Sequence, residues 1–130
     1  MHQFSFPKKE HLTSKLDIEA LFTSKNRALK SFPLRVVYKE VEEAPCSIMV
    51  LISVSKRHFK HAVDRNRAKR QIREAYRLHK HILLEPLLNL GKKVHVAFIW
   101  TSDRPIESPV ITASMKKLLL EIAESYPQNL

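Results

Sequence analysis

Lys56-Arg57-His58-Phe59-Lys60-His61-Ala62-Val63-Asp64-Arg65-Asn66-Arg67-Ala68-Lys69-Arg70-Gln71-Ile72-Arg73-Glu74-Ala75-Tyr76-Arg77-Leu78-His79-Lys80 is the stretch on which the rest of the chain depends. Ten Lys and Arg against Asp64 and Glu74 give it a net +8 of the whole chain's +10. The remainder is close to neutral. Charge gathered this way is an address for a polyanion, and in proteins the common polyanionic partner is nucleic acid.

The stretch predicts a helix starting near His61–Asp64, with Asp64 suited to the positive end of the helix dipole. It is expected to run to about Leu84, because Pro86 disfavours a helical Glu85. Some twenty residues at 1.5 Å each make a rod of roughly 30 Å. With each residue set about 100° on from the last, Ala68, Ile72, Ala75, His79, Ile82 and Leu83 share one side. Asn66, Lys69, Arg70, Arg73, Arg77 and Lys80 line the opposite side. Arg65 and Tyr76 fall on one shoulder, and Arg67, Glu74 and Leu78 on the other. A solvated face held by salt bridges needs acids at i±3 or i±4. Glu74 can serve Arg70 or Arg77 and Asp64 stands three before Arg67, while the other cations have no such partner along the helix. Unpaired like charges cost a few tenths of a kcal/mol each, so this helix is built against its own stability. The predominance of Arg adds planar guanidinium forks that bind phosphate bidentately and stack on bases. Asn66 can donate to and accept from a base edge or a ribose hydroxyl.

Working outward, Val94–Trp100 reads as a strand after a turn at Gly91, and Ser47–Val54 as an apolar strand covered on both faces. Phe32–Val41 is a third strand, and the acidic turn Glu40–Pro45 makes a hairpin between it and Ser47–Val54 the expected pairing. Residues 25–31 read as a basic loop. Leu12, Leu16, Ile18, Ala20, Leu21 and Phe22 recur at helical spacing behind a cap at Thr13 or Ser14, with Asp17 three after Ser14. Ser108-Pro109 opens a final amphipathic helix ending near Tyr126-Pro127. Residues 1–11 are expected to form an extended arm on a single domain folded over residues 12–126. The order of elements, helix, strand, strand, long helix, strand, helix, calls for an α+β or α/β sandwich on a small sheet.

Composition excludes several classes of function. The single glycine, Gly91, cannot build a glycine-rich phosphate loop. One cysteine, Cys46, rules out an internal disulfide and a multi-thiolate zinc site, and suits a reducing cytoplasm. No apolar run reaches the ~20 residues that span a bilayer, and the N-terminus lacks the apolar core of a signal peptide. A cytoplasmic protein with no membrane partner is the expectation. His58, His61, His79 and His81 fit no zinc spacing and have no recurring carboxylate beside them, so neither metal nor catalytic residues are expected on the protein. A DNA-binding module would need a short recognition helix with a turn partner, which is absent.

Arg65-Asn66-Arg67-x-Lys69-Arg70-x-x-Arg73-Glu74-Ala75-Tyr76-Arg77, preceded by Ser53-Val54-Ser55-Lys56-Arg57 and Ala62-Val63, resembles the signature of the bacterial ribonuclease P protein component. Leu12, Asp17 and Leu21-Phe22 resemble that family's first helix, and Val94–Ile99 its strand after the long helix, so the likeness covers roughly residues 11–125. The chain departs from the family pattern in the turn Arg57–His61, which has no glycine and is one residue longer, and at Ile18 and Lys25.

The resemblance implies a two-layer α/β sandwich, a small sheet with a long basic helix and a left-handed βαβ crossover, like domain 2 of ribosomal protein S5. It implies the protein subunit of a ribonucleoprotein that removes the 5′ leader from precursor tRNA, one protein per RNA. The catalysis would belong to the RNA subunit and its Mg²⁺, with no cofactor on the protein alone. Arg65, Arg67, Lys69, Arg70, Arg73 and Arg77 are then the expected contacts to the RNA subunit, neutralising phosphates and reading RNA shape. Single-strand recognition needs aromatic platforms beside cations. The expected leader contacts are Phe22, Tyr38, Lys56, Arg57 and Asn66, with core burial as the competing role for both aromatics. The rival assignment is a non-catalytic structural RNA binder such as a ribosomal protein.

Overall fold

The computed structural model describes residues 5–23 and 26–126. Lys25 lies outside the described residues. Within them the chain forms α1 (Lys15–Thr23), β1 (Arg27–Ser31), β2 (Leu34–Val41), β3 (Ile48–Ser53), α2 (Ala62–His79), α3 (His81–Leu90), β4 (Lys93–Trp100) and α4 (Ser108–Glu124), with a short 3₁₀ turn at Lys8–Glu10.

The sheet order is β1-β2-β4-β3. β4 takes the centre, antiparallel to β2 with Val37 opposite Ala97, and parallel to β3 with Leu51 opposite Ala97. The expected pairing of β2 with β3 is therefore wrong. A turn six residues long does join them, but β4 is the most completely buried strand and is inserted between, where both its edges are paired and both faces covered. The hairpin lies instead between β1 and β2, which pair from Arg27–Tyr38 to Ser31–Leu34. β1 itself was expected to be loop. It carries no β-branched residue and is an exposed edge strand with Arg27 and Lys30 outward, the composition that edges favour and that propensity misses.

β3, the helical stretch α2–α3 and β4 form a βαβ crossover between neighbouring parallel strands. One face of the sheet (Leu34, Val36, Tyr38, Val50, Val96, Phe98, Trp100) is covered by Ala68, Ile72, Ala75 and Tyr76 of α2, Leu83 and Leu87 of α3, and Ile111, Met115, Leu118 and Ile122 of α4. Of the described helices, the other face carries only α1, whose Leu21 is fully buried with Leu12 against Val37, Met49 and Ala97. Ser14 caps α1 as expected, its Oγ accepting from the Asp17 amide at 3.4 Å.

The basic helix starts where expected and stops earlier. A turn at Lys80 separates α2 from α3, which then continues through Pro86 to Leu90. Proline leaves the carbonyl four residues back without its donor, and α3 accepts that loss because Leu83 and Leu87 are buried on either side of Pro86. Gly91, in the left-handed region at φ 65°, ends α3, with the Lys92 amide reaching back 3.0 Å to the Leu87 carbonyl.

The described part of the arm is docked rather than extended. Phe6 packs edge-on to Tyr76 with ring centres 5.0 Å apart, and His11 bridges to Val50 along the free edge of β3. Lys80 Nζ and Glu10 Oε1 lie 2.8 Å apart and both side chains are buried. Lys80 thus belongs to the core, not to the cationic face on which helical periodicity placed it.

Candidate nucleic-acid interface

The outward side of α2 keeps its charge. Asn66, Arg67, Arg70 and Arg73 are exposed and Lys69 half-exposed, and among the described residues none of the four cations has an acidic partner. Arg77 does have one. Its Nε donates to Glu74 Oε2 at 3.1 Å, and this hydrogen bond holds the Glu74 carboxyl below its ordinary range. Glu74 is shared neither with Arg70 nor with Arg73, so the stripe's unpaired centre runs from Arg67 to Arg73.

Arg65 has a different position. Its Nη1 donates to the carbonyls of Phe59 and Lys60, each at 2.9 Å, and the side chain is half-buried. It ties the first turns of α2 to the segment that precedes them. That segment, glycine-free in sequence, is held at several points. Ser55 accepts from the His58 and Phe59 amides through its carbonyl and from the Arg57 amide through its hydroxyl. Phe59 is buried with its ring 5.8 Å from that of Trp100. His58 Nδ1 sits 2.7 Å from Asp103 Oδ1, clipping the turn to the loop after β4. With the turn thus fixed, Lys56 and Arg57 are exposed immediately after the end of β3. The backbone that carries them is already ordered, so it loses little conformational freedom when they meet a phosphate. The periodicity of α2 does not show these ties, because every partner but Arg65 lies outside the helix.

The two expected aromatic platforms separate. Phe22, at the end of α1, is 43% exposed while its neighbour Leu21 is completely buried, so Phe22 is free to meet a base. Tyr38 is only 3% exposed and points to the α2–α4 side, among Leu34, Val36 and Val96. It is a core side chain and is removed from the leader contacts. Strand alternation is the cause: Tyr38 is one residue from Val37, which faces α1, so the two point to opposite faces. Asn66 is exposed but sits on α2, across the sheet from Phe22, so the two do not share a face.

The same alternation identifies cations that the sequence reading passed over. Arg35 and Lys39 share the α1 side with Val37, and register sets Lys30 opposite Arg35 and His95 opposite Lys39. His95 is buried, and burial, with Lys39 nearby, lowers its pKa from the ordinary value against the opposing pull of Asp17. Among the described residues no group of three His, Cys, Asp or Glu side chains could hold a metal ion. The interface offers exposed cations and an exposed aromatic ring.

The family model for ribonuclease P matches residues 6–122. This chain belongs to the ribonuclease P protein family. The ribonuclease P protein component of Porphyromonas gingivalis (strain ATCC 33277) is 36% identical over 127 residues, covering 97% of this chain and 92% of the relative. That of Chlorobaculum tepidum is 39% identical over 104 residues, covering 74% and 67%. Among solved structures, a Staphylococcus aureus RNase P protein mutant with defective mRNA degradation activity superimposes with TM-score 0.69 at 23% identity, covering 90% of each chain. The RNase P protein from Thermotoga maritima does so with TM-score 0.68 at 18% identity, covering 86% of this chain and 96% of that one. The structural likeness carries the fold, and the sequence matches carry the family. The expected α+β architecture of ribonuclease P proteins is therefore established for this chain, with the strand pairings given above.

Proposed function

We propose that this chain is the protein subunit of a cytoplasmic ribonuclease P. It docks through α2 on a catalytic RNA, one protein per RNA, and holds the single-stranded 5′ leader of precursor tRNA while that RNA and its Mg²⁺ cut the phosphodiester. The observation that carries this reading is the run of cations Arg67, Lys69, Arg70 and Arg73, exposed or half-exposed and without acidic partners among the described residues, on a helix whose other side is locked into the core. A polyanion relieves the repulsion that the fold leaves in place. Arg65 serves the same contact indirectly, by fixing the start of α2, and Arg77 contributes least because Glu74 already neutralises it. On the leader side stand Phe22, Lys56 and Arg57, with Asn66 at the α2 border.

The decisive experiment is reconstitution with the catalytic RNA at low Mg²⁺, following cleavage of precursor tRNA. The protein is expected to restore cleavage, and to bind precursor more tightly than mature tRNA. No restoration of cleavage would leave a structural RNA binder. Neutralising about six phosphates predicts a log–log salt slope of roughly −4 to −5, and an affinity indifferent to salt would remove the docking role of α2.

A further inference from the structure

The turn between β1 and β2 carries a second concentration of uncompensated charge. Lys30 and Arg35 stand directly opposite each other across the hairpin, both exposed, with no acidic partner among the described residues. Like charges in that register destabilise a strand pair, so the hairpin, like α2, bears a repulsion that its fold does not relieve. In the turn itself, one pair beyond them, lies Phe32, 63% exposed. A lone exposed aromatic is ordinary on a protein surface. This one lines an open concavity of about 550 Å³ together with Ala28, Lys30, Arg35 and Thr101, within the size range of ligand sites.

The platform is also held in place. The Phe32 carbonyl accepts from Ser114 Oγ of α4, and the Pro33 carbonyl accepts from both the amide and the hydroxyl of Thr101, at 2.9 and 3.0 Å. Helix and sheet therefore fix the backbone of the turn from two sides while the ring stays outside. A rigid aromatic flanked by two unpaired cations is the arrangement that binds single-stranded nucleic acid without paying to order itself.

We propose that Phe32, Lys30 and Arg35 form a subsite for one unpaired RNA nucleotide, its base stacked on Phe32 and its flanking phosphates on the two cations. The subsite rests on the leader-binding reading above and extends it. Register sets Lys30, Arg35, Ile99 and Ser53 in one row across the sheet, on the side that carries α1. Ser53 ends β3, three residues before Lys56. Three strand spacings of about 4.8 Å put the hairpin roughly 14 Å from that end. RNA entering at Lys56 and Arg57 must therefore cross the sheet before it reaches Phe32, so only the distal part of a long leader engages the subsite.

The test uses the reconstituted ribonucleoprotein, precursor tRNAs with leaders of graded length, and 2-aminopurine placed at successive leader positions. With wild-type protein, fluorescence is expected to be quenched at one distal position. F32A should abolish that quenching and weaken binding of the long-leader precursor by roughly tenfold, with F32W restoring both. K30Q/R35Q should make the salt slope for the long leader shallower by about 1.4. If wild type still prefers longer leaders but F32A matches it at every length, the subsite is refuted and the leader reading survives. If wild type shows no leader preference, both fall. Equal weakening by F32A toward long-leader precursor and mature tRNA, with a lowered melting temperature, would make Phe32 a structural residue and overturn the proposal.

Discussion

Along α2, Arg70 and Arg73 stand exposed with no acid among the described residues to answer them, whereas Lys80, at the junction with α3, is buried against Glu10. All three belong to the same basic stretch, and helical periodicity assigns all three to the same outward side. The difference is the docked arm. By bringing Glu10 across seventy positions of sequence, it converts one cation of the stripe into an internal fastening and leaves the others to an outside partner. Whether a basic side chain serves the fold or the ligand is thus decided by where its nearest carboxylate comes from.

Mutations can break this contrast. Lys80→Met leaves Glu10 buried and unpaired, and is expected to destabilise the protein by about 3–5 kcal/mol in urea unfolding. Adding Glu10→Leu should recover most of that loss, because an apolar pair of similar volume carries no desolvation penalty. Recovery would confirm that the pair, and not the arm as such, sets the cost. The next effect in size reverses the pattern. R70A/R73A should leave the unfolding midpoint unchanged or slightly raised while making the salt slope of RNA binding shallower by roughly 1.5. A loss of stability comparable to that of Lys80→Met would show that these arginines are structural.

His95 sharpens the comparison because it is a buried basic group that forms no ion pair among the described residues. Its pKa is lowered, chiefly by burial, so the folded state holds it neutral. The unfolded chain takes up a proton near the ordinary value of 6.5. Stability contributed by neutral His95 is therefore present above that value and falls as pH drops toward the lowered folded one. Denaturant midpoints measured from pH 8 down to 5 should show this decline, and His95→Gln should flatten it. The smallest effect belongs to Arg77→Ala. The Arg77–Glu74 pair is on the helix surface, where such pairs contribute little. The substitution should leave stability unaltered and reduce RNA affinity less than Arg73→Ala does, as titration at fixed salt would show.

The elements that could be read in advance are those whose causes are local. Ala68, Ile72 and Ala75 recur at helical spacing and are buried, Gly91 ends a helix because its backbone turns left-handed, and the amide of Asp17 finds the Ser14 hydroxyl three residues away. Elements that depend on remote partners were not legible. Arg27–Ser31 becomes a strand only because β2 lies beside it, and Lys80 leaves the cationic face only because Glu10 arrives. For the interface, the stripe itself was visible as charge without compensation. Tyr38 was misplaced because a one-residue step in a strand exchanges faces, and nothing in Val36-Val37-Tyr38 says which face is covered by three helices and which by one. The same ambiguity concealed Arg35 and Lys30.

The central position of β4 has a consequence for how the molecule is made. Synthesis delivers β2, β3 and the whole of α2 before the strand that joins them, since β4 ends at Trp100 of 130 residues. Until then β2 has only β1 beside it, β3 has no neighbouring strand, and α2 has no completed sheet on which to lay Ala68, Ile72 and Ala75. A nascent chain shorter than that exposes the most basic helix of the protein with nothing behind it, in the ribosome's immediate surroundings of RNA. Closure waits on one late strand, and its pairing with β2 spans the kind of long sequence separation that slows folding.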